Sequence, residues 1–110
     1  MATSLDFIEY VCEQISSVGA IRYMKMFGEY MVYVNEKPIL LVCDNTVFVK
    51  ILDCISEKIK DAEKGFPYDG AKEHYILDID NSEFSKEVIT LLESVIPLRK
   101  PKKKKQMRFI

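Results

Sequence analysis

The sequence has no tryptophan, one histidine, three cysteines, and only four glycines and four prolines in 110 residues. So little Gly and Pro excludes a collagen-like or low-complexity chain. The lone histidine, His74, is the only residue through which a Ser-His-Asp or Cys-His set could be built. It opens a short strand between Glu73 and Tyr75, the setting of a surface or half-buried histidine. Cys12, Cys43 and Cys54 form no CxxC and no Cys/His pair, and their odd number closes no disulfide framework. Each falls on an apolar face of a predicted element, where cysteine behaves as a small hydrophobe. No GxGxxG or GxxxxGK[ST] loop is present to cradle a phosphate. No apolar run approaches the roughly 18 residues of a membrane span. The opening Met1-Ala2-Thr3-Ser4-Leu5-Asp6 lacks the basic flank and apolar stretch of a signal peptide. A cytoplasmic, non-enzymatic protein is expected, with no catalytic, cofactor or metal residues and no membrane contact.

What the chain does have is 48% hydrophobic and 30% charged residues, the composition of one globular domain. Its net charge of −1 is a sum over two opposed pieces. Seven of the 16 basic residues are Arg99, Lys100, Lys102, Lys103, Lys104, Lys105 and Arg108, with no acid among them. Residues 1–98 therefore hold 9 basic and 17 acidic side chains, a charge of −8, and residues 99–110 carry +7. Self-repulsion together with Pro97 and Pro101 makes the segment from about Leu98 an extended, disordered tail, and the domain boundary is placed there. A basic run of this density has three readings: a solubilising tail, a non-specific contact to nucleic-acid phosphates, or a dock onto an acidic protein surface, this domain's own included.

Leu5, Ile8, Cys12 and Ile15 repeat with helical spacing, with Thr3 as the predicted N-cap and Gly19 as the stop. The period then changes to two, and the residues become aromatic and β-branched. Ile21–Phe27, Tyr30–Val34, Ile39–Cys43 and Thr46–Ile51 are predicted strands, with turns at Asn35-Glu36-Lys37-Pro38 and Asp44-Asn45 and a bulge or positive φ at Gly28. Leu52, Ile55, Ile59 and Ala62 predict a second helix running to Gly65. Phe66 and Tyr68, in the loop after it, are expected to pack back on the body. His74–Ile79 is a predicted strand. Asp80 as N-cap, Glu83 as its capping-box partner and Ile79 against Phe84 as a staple then start a third helix, with Phe84, Val88, Leu91, Leu92 and Val95 on one face. Asp78 and Asp80 alternate as a pair of metal ligands would, but no third ligand is nearby and the cap accounts for Asp80.

The element order, α-β-β-β-β-α-β-α, predicts an α+β fold in two layers, an antiparallel sheet with helices packed on it. Both faces of Tyr30–Val34 and Ile39–Cys43 are apolar, so either helices cover both faces or the second face meets a partner, a second copy of the chain among the candidates. Tyr23, Phe27, Tyr30, Tyr33 and Phe48 could make a base-stacking platform, although aromatics in such strands more often belong to the core.

Met26-Phe27-Gly28-Glu29-Tyr30, the hairpin at Asn35-Glu36-Lys37, Leu41-Val42-Cys43-Asp44-Asn45 and Phe48-Val49-Lys50 form an ordered set. With Pro67-Tyr68, Tyr75 and Pro97-Leu98-Arg99-Lys100-Pro101-Lys102, that set resembles the N-terminal domain of the TfoX/Sxy family in its small single-domain members. The resemblance implies an α+β fold of the kind shared with secretion-chaperone-like domains, and a link to regulators of natural competence, the expression of DNA-uptake genes. Full-length regulators of that family carry a second, helical domain and act with the cyclic-AMP receptor protein, so this chain reads either as the interaction half alone or as a relative with an unrelated role. The family supplies no catalytic or ligand residues to carry over. A protein-interaction domain in transcriptional regulation is therefore expected, its partner either the transcription machinery or a homodimer mate. The alternative is a nucleic-acid accessory protein working through the Lys-rich tail.

Overall fold

The computed structural model describes residues 3–26 and 29–97; Phe27, Gly28 and the Lys-rich segment, on which the bulge, the tail and the domain-boundary expectations fall, lie outside them. The elements are α1 (Leu5–Gln14), β1 (Ile21–Met26), β2 (Glu29–Val34), β3 (Lys37–Cys43), β4 (Thr46–Lys50), α2 (Asp53–Ser56), β5 (Lys64–Gly65), β6 (His74–Ile76) and α3 (Ser82–Val95). The strands form one antiparallel sheet in the order β1-β2-β3-β4-β6-β5, and the helices pack on it, the predicted α+β class. No helix among the described residues is long and apolar enough to cross a membrane.

Two tight turns set the sheet. Asn35 and Glu36 have φ of 53° and 69°, and Asp44 and Asn45 have 51° and 54°, the left-handed pair that a two-residue hairpin requires to match strand twist. β3 accordingly starts at Lys37, two residues earlier than predicted, and takes in Pro38. The β2–β3 register shifts between Val32 and Tyr33: Tyr33 faces Pro38 while Val32 faces Leu40, so Ile39 is an extra residue. A bulge is where a proline is tolerated inside a sheet, because the ladder is already interrupted there. It also lets the adjacent Ile39 and Leu40 both join the core.

Register assigns the faces. Val32, Val34, Leu40, Val42, Val47, Val49 and Tyr75 share one side and form a single core with Ile8, Val11 and Ile15 of α1, Ile55 and Ile59 beside α2, and Val88, Ile89 and Leu92 of α3. Lys37 ties the third helix down. Its Nζ donates to the Glu93 carbonyl at 2.7 Å and pairs with the Glu93 carboxylate at 3.2 Å, a cation against the end of a helix whose own last turn has none.

Several local expectations are corrected. Ser4, not Thr3, caps α1, accepting from the Phe7 amide at 3.2 Å. The Thr3 hydroxyl is buried and engaged with the sheet, donating to Glu29 Oε1 at 2.8 Å and accepting from the Asn45 amide at 3.2 Å. The second helix is four residues long. Beyond it the spacing of Ile55, Ile59 and Ala62 is kept by hydrogen-bonded turns, because the chain must bring the Glu63 carbonyl to the Ile76 N–H, which donates to it at 2.8 Å, and Lys64 and Gly65 pair with β6 instead of ending a helix. β6 stops at Ile76. Asn81, not Asp80, caps α3, accepting from the Phe84 amide at 3.2 Å, and Asp80 instead accepts from the Tyr10 hydroxyl. With the cap one residue later, Ile79 and Phe84 no longer hold the staple positions. The buried face of α3 is Ser85, Val88, Ile89 and Leu92, while Val95 is exposed; Ser85 is tolerated there because its hydroxyl donates to the Asp78 carbonyl at 3.0 Å. Phe66 and Tyr68 are 63% and 59% exposed, so neither is buried against the body as expected.

Two outcomes check this frame. Asn81→Ala should cost about 1 kcal/mol in urea unfolding as a lost cap, with Asp80→Ala costing less. Gly19 has φ of 154°, and a Cβ there would lie 2.7 Å from Asn35 Oδ1, the atom that accepts from the Ala20 amide. Gly19→Ala should therefore destabilise by about 1–3 kcal/mol and shift the β1–β2 amide resonances first.

Candidate functional site

All three helices contribute to the core on one side of the sheet. On the opposite side the same alternation leaves Met24 of β1, Met31 and Tyr33 of β2, Leu41 and Cys43 of β3, Phe48 of β4 and Ile76 of β6. No helix among the described residues lies over them. Met24 is 42% exposed, and Met31, Leu41 and Ile76 are half-buried. Of the two ways of covering a doubly apolar sheet, helices on both faces are excluded for the described residues.

This open face is shaped at both ends. Toward β1 it is closed by a planar stack: the Arg22 guanidinium lies 4.3 Å from the Tyr33 ring centre and forks onto the Glu36 carboxylate with contacts of 2.9–3.0 Å. The arginine holds the Glu36 carboxyl below its ordinary range. Toward β6, residues 68–74 rise beside the sheet and leave a groove of about 410 Å³. Its floor is Met31, Leu41 and Phe48, one wall is Tyr68 and Ala71, its cations are Lys50 and Lys72, and the His74 ring lines it beside them. Partly exposed methionines and exposed aromatics beside a polar rim are the residue kinds that binding surfaces use.

The residues singled out by sequence distribute as follows. His74 begins β6 half-buried, its Nδ1 donating to the Lys72 carbonyl at 2.8 Å and its ring edge-on to Phe48 at 6.3 Å, so it braces the groove wall. The aromatic set is split: Tyr23 and Tyr30 pair edge-to-face at 5.5 Å on the helix side, Tyr33 and Phe48 lie on the open side, and Phe27 is outside the described residues. No single stacking platform results from the described four. No three of His, Cys, Asp and Glu gather as metal ligands would among the described residues. Arg99, Lys100, Lys102, Lys103, Lys104, Lys105 and Arg108 all lie outside them.

A second concavity, about 700 Å³, was not anticipated. It opens at the end of the sheet where the start of α1, the turns after α2 and the β6–α3 connection meet. Its floor is Phe7, Val47, Ile59 and Phe84, and its rim carries Asp61, Glu63, Asp78 and Asp80. Lys58 is its one cation, already paired with Glu87 and lying over the Phe84 ring. The hydrogen bond to Asp80, then desolvation, and then the charges of Asp80 and Asp78 raise the Tyr10 phenol beside this rim. Sequence reading missed the cleft because its acids come from two separated loops, and only β6 pairing with β5 brings those loops together.

No family model matches the sequence. The chain is 32% identical over 107 residues to a protein of Spirochaeta aurantia described as an uncharacterized 12.7 kDa protein in the trpE 5′ region; the match covers 96% of this chain and 93% of that one.

The thiols provide a test of the open face. Cys43 is 2% exposed, and burial, followed by the charges of Glu29 and Asp44, pushes it up to about 11. At pH 8 roughly 10⁻³ of it is thiolate, against about a quarter of an ordinary thiol. With a disulfide reagent, Cys12 and Cys54, both half-buried, should react well before Cys43. Cys43 should follow only on unfolding, or faster as the pH is raised toward 11.

Proposed function

The chain belongs to the family of the Spirochaeta aurantia 12.7 kDa protein, and on that premise we propose that it is a non-enzymatic, TfoX-like regulatory domain whose open sheet face receives a segment of a protein partner. The observation that carries this reading is the one-sided helical cover: Met24, Met31, Leu41 and Ile76 form an apolar strip with no element of the described chain over it. A domain gains nothing in its own fold from half-exposed methionines and leucines on the far side of a sheet, whereas a partner that buries them does. Phe66 and Tyr68, exposed on the adjoining loop, are of the residue kind that dominates binding energy at interfaces.

The chemistry of the groove narrows the partner. An apolar floor with Lys50, Lys72 and His74 around it suits an apolar segment flanked by acidic residues. The likeness to TfoX/Sxy N-terminal domains supports placing that partner in the transcription machinery, with DNA-uptake genes as the regulated set.

Leu41→Lys combined with Met31→Lys puts charge at the centre of the strip, at half-buried positions on the uncovered face, and should leave the chain folded at a cost of about 1–3 kcal/mol. Tagged full-length chain expressed in its own cells should co-purify with a component of the transcription apparatus, and the double variant should reduce that capture about tenfold or more. Equal capture by the variant would remove the open face from the reading. Binding of the purified chain to bare duplex DNA that weakens steeply with salt would move the function to the Lys-rich segment.

A further inference from the structure

From the acidic cleft at the other end of the fold we infer that the chain docks the end of its own Lys-rich segment, residues 104–108, across the rim of Asp61, Glu63, Asp78 and Asp80. This goes beyond the partner-binding face, from which it is separate. Three observations carry it.

The first is charge. Four carboxylates line one cleft whose only lysine is already held by Glu87. Asp61, Glu63 and Asp78 make no ion pair among the described residues. The segment supplies seven cations and no acid. Oppositely charged surfaces on one chain meet at the high effective concentration set by a short tether.

The second is reach. α3 runs from the cleft, where Phe84 sits, to Pro97, a distance of about 20 Å. The thirteen residues after Pro97 span up to about 43 Å when extended. A chain turning back along α3 uses about six of them to return, which brings Lys104, Lys105 and Arg108 over the rim. The third is the floor. Phe109 and Ile110 follow directly, and the partly exposed rings of Phe7 and Phe84, above buried Val47 and Ile59, offer them an apolar seat beside the carboxylates. Such an occupant has both characters of the cleft, cationic and apolar, in the right order. While seated, it withholds its lysines from phosphate.

The full chain, treated with a zero-length carbodiimide at low salt and separated by size, tests this by mapping which carboxylates couple to Lys104 and Lys105. The expected result is coupling concentrated on Asp61, Glu63, Asp78 and Asp80 in the monomer fraction, falling about fivefold or more in 500 mM NaCl as screening shortens to a few ångströms. A second readout needs no coupling: trypsin should cut after Lys103, Lys104 and Lys105 at least about threefold more slowly in wild type than in D61N/E63Q/D78N, surface changes that leave the core intact. If that triple variant unfolds, R108E serves instead and should lower coupling from Lys104 and Lys105 to the rim about threefold or more. Coupling spread evenly onto carboxylates elsewhere, such as Glu9, Glu13 and Asp53, overturns the proposal. So does coupling confined to a dimer fraction, or tryptic cleavage equally fast in both proteins. A lost partner interaction at the open face leaves these readouts unmoved, so the two ideas fail separately.

Discussion

Register is the constraint from which the rest of this structure follows. The two-residue turns at Asn35-Glu36 and Asp44-Asn45 lock β2, β3 and β4 into one alignment, and because side chains alternate with period two, that alignment decides every inward and outward assignment at once. The single extra residue at Ile39 is part of the same device. With Pro38 at the break, the strand enters on the parity that gives Lys37 to Glu93 of α3 and continues on the parity that gives Leu40 and Val42 to the core. Without the bulge, either the lysine or the leucine would face the wrong way.

One helical layer is enough for the inner face, and this asymmetry makes the other face available. Tyr33, Cys43 and Phe48 are buried there without joining the main core, through local covers: the Arg22 stack over Tyr33 and the His74 edge against Phe48. Between these two covers the sheet stays open. The molecule thus presents two surfaces of opposite sign, a groove with Lys50 and Lys72 at one end and a cleft with four carboxylates at the other. A net charge of −1 conceals that polarity, which resides in where the charges lie and not in their sum.

The sheet was legible because its signals are local: alternation, β-branched residues and Asn/Asp turns that need neighbours only a few positions away. The apolarity of both faces of β2 and β3 likewise pointed to the open strip before any coordinates. Boundaries that depend on competition between adjacent residues were not legible. Thr3 and Ser4 are both capping types, and only the distant engagement of Thr3 with Glu29 and Asn45 leaves the cap to Ser4. Asp80 and Asn81 present the same choice, decided by Tyr10, seventy positions away. The helical spacing after Leu52 was real, but turns satisfy the same spacing when β6 needs an edge partner at Lys64. The cleft could not be seen at all, since the acids on its rim are neighbours only after folding.

The two outer edges of the sheet bear on how copies of this protein behave when concentrated. β5 exposes only two residues of backbone, too short to template a further strand. β1 is six residues long, but Arg22 projects from one of its faces and Lys25 from the other, so a strand adding to that edge meets a cation on whichever side it lies. The sheet is thereby guarded against growing sideways into fibrils or ladder-built oligomers. The broad face differs from these edges in being finite, so that under the proposed reading it closes once one partner has bound.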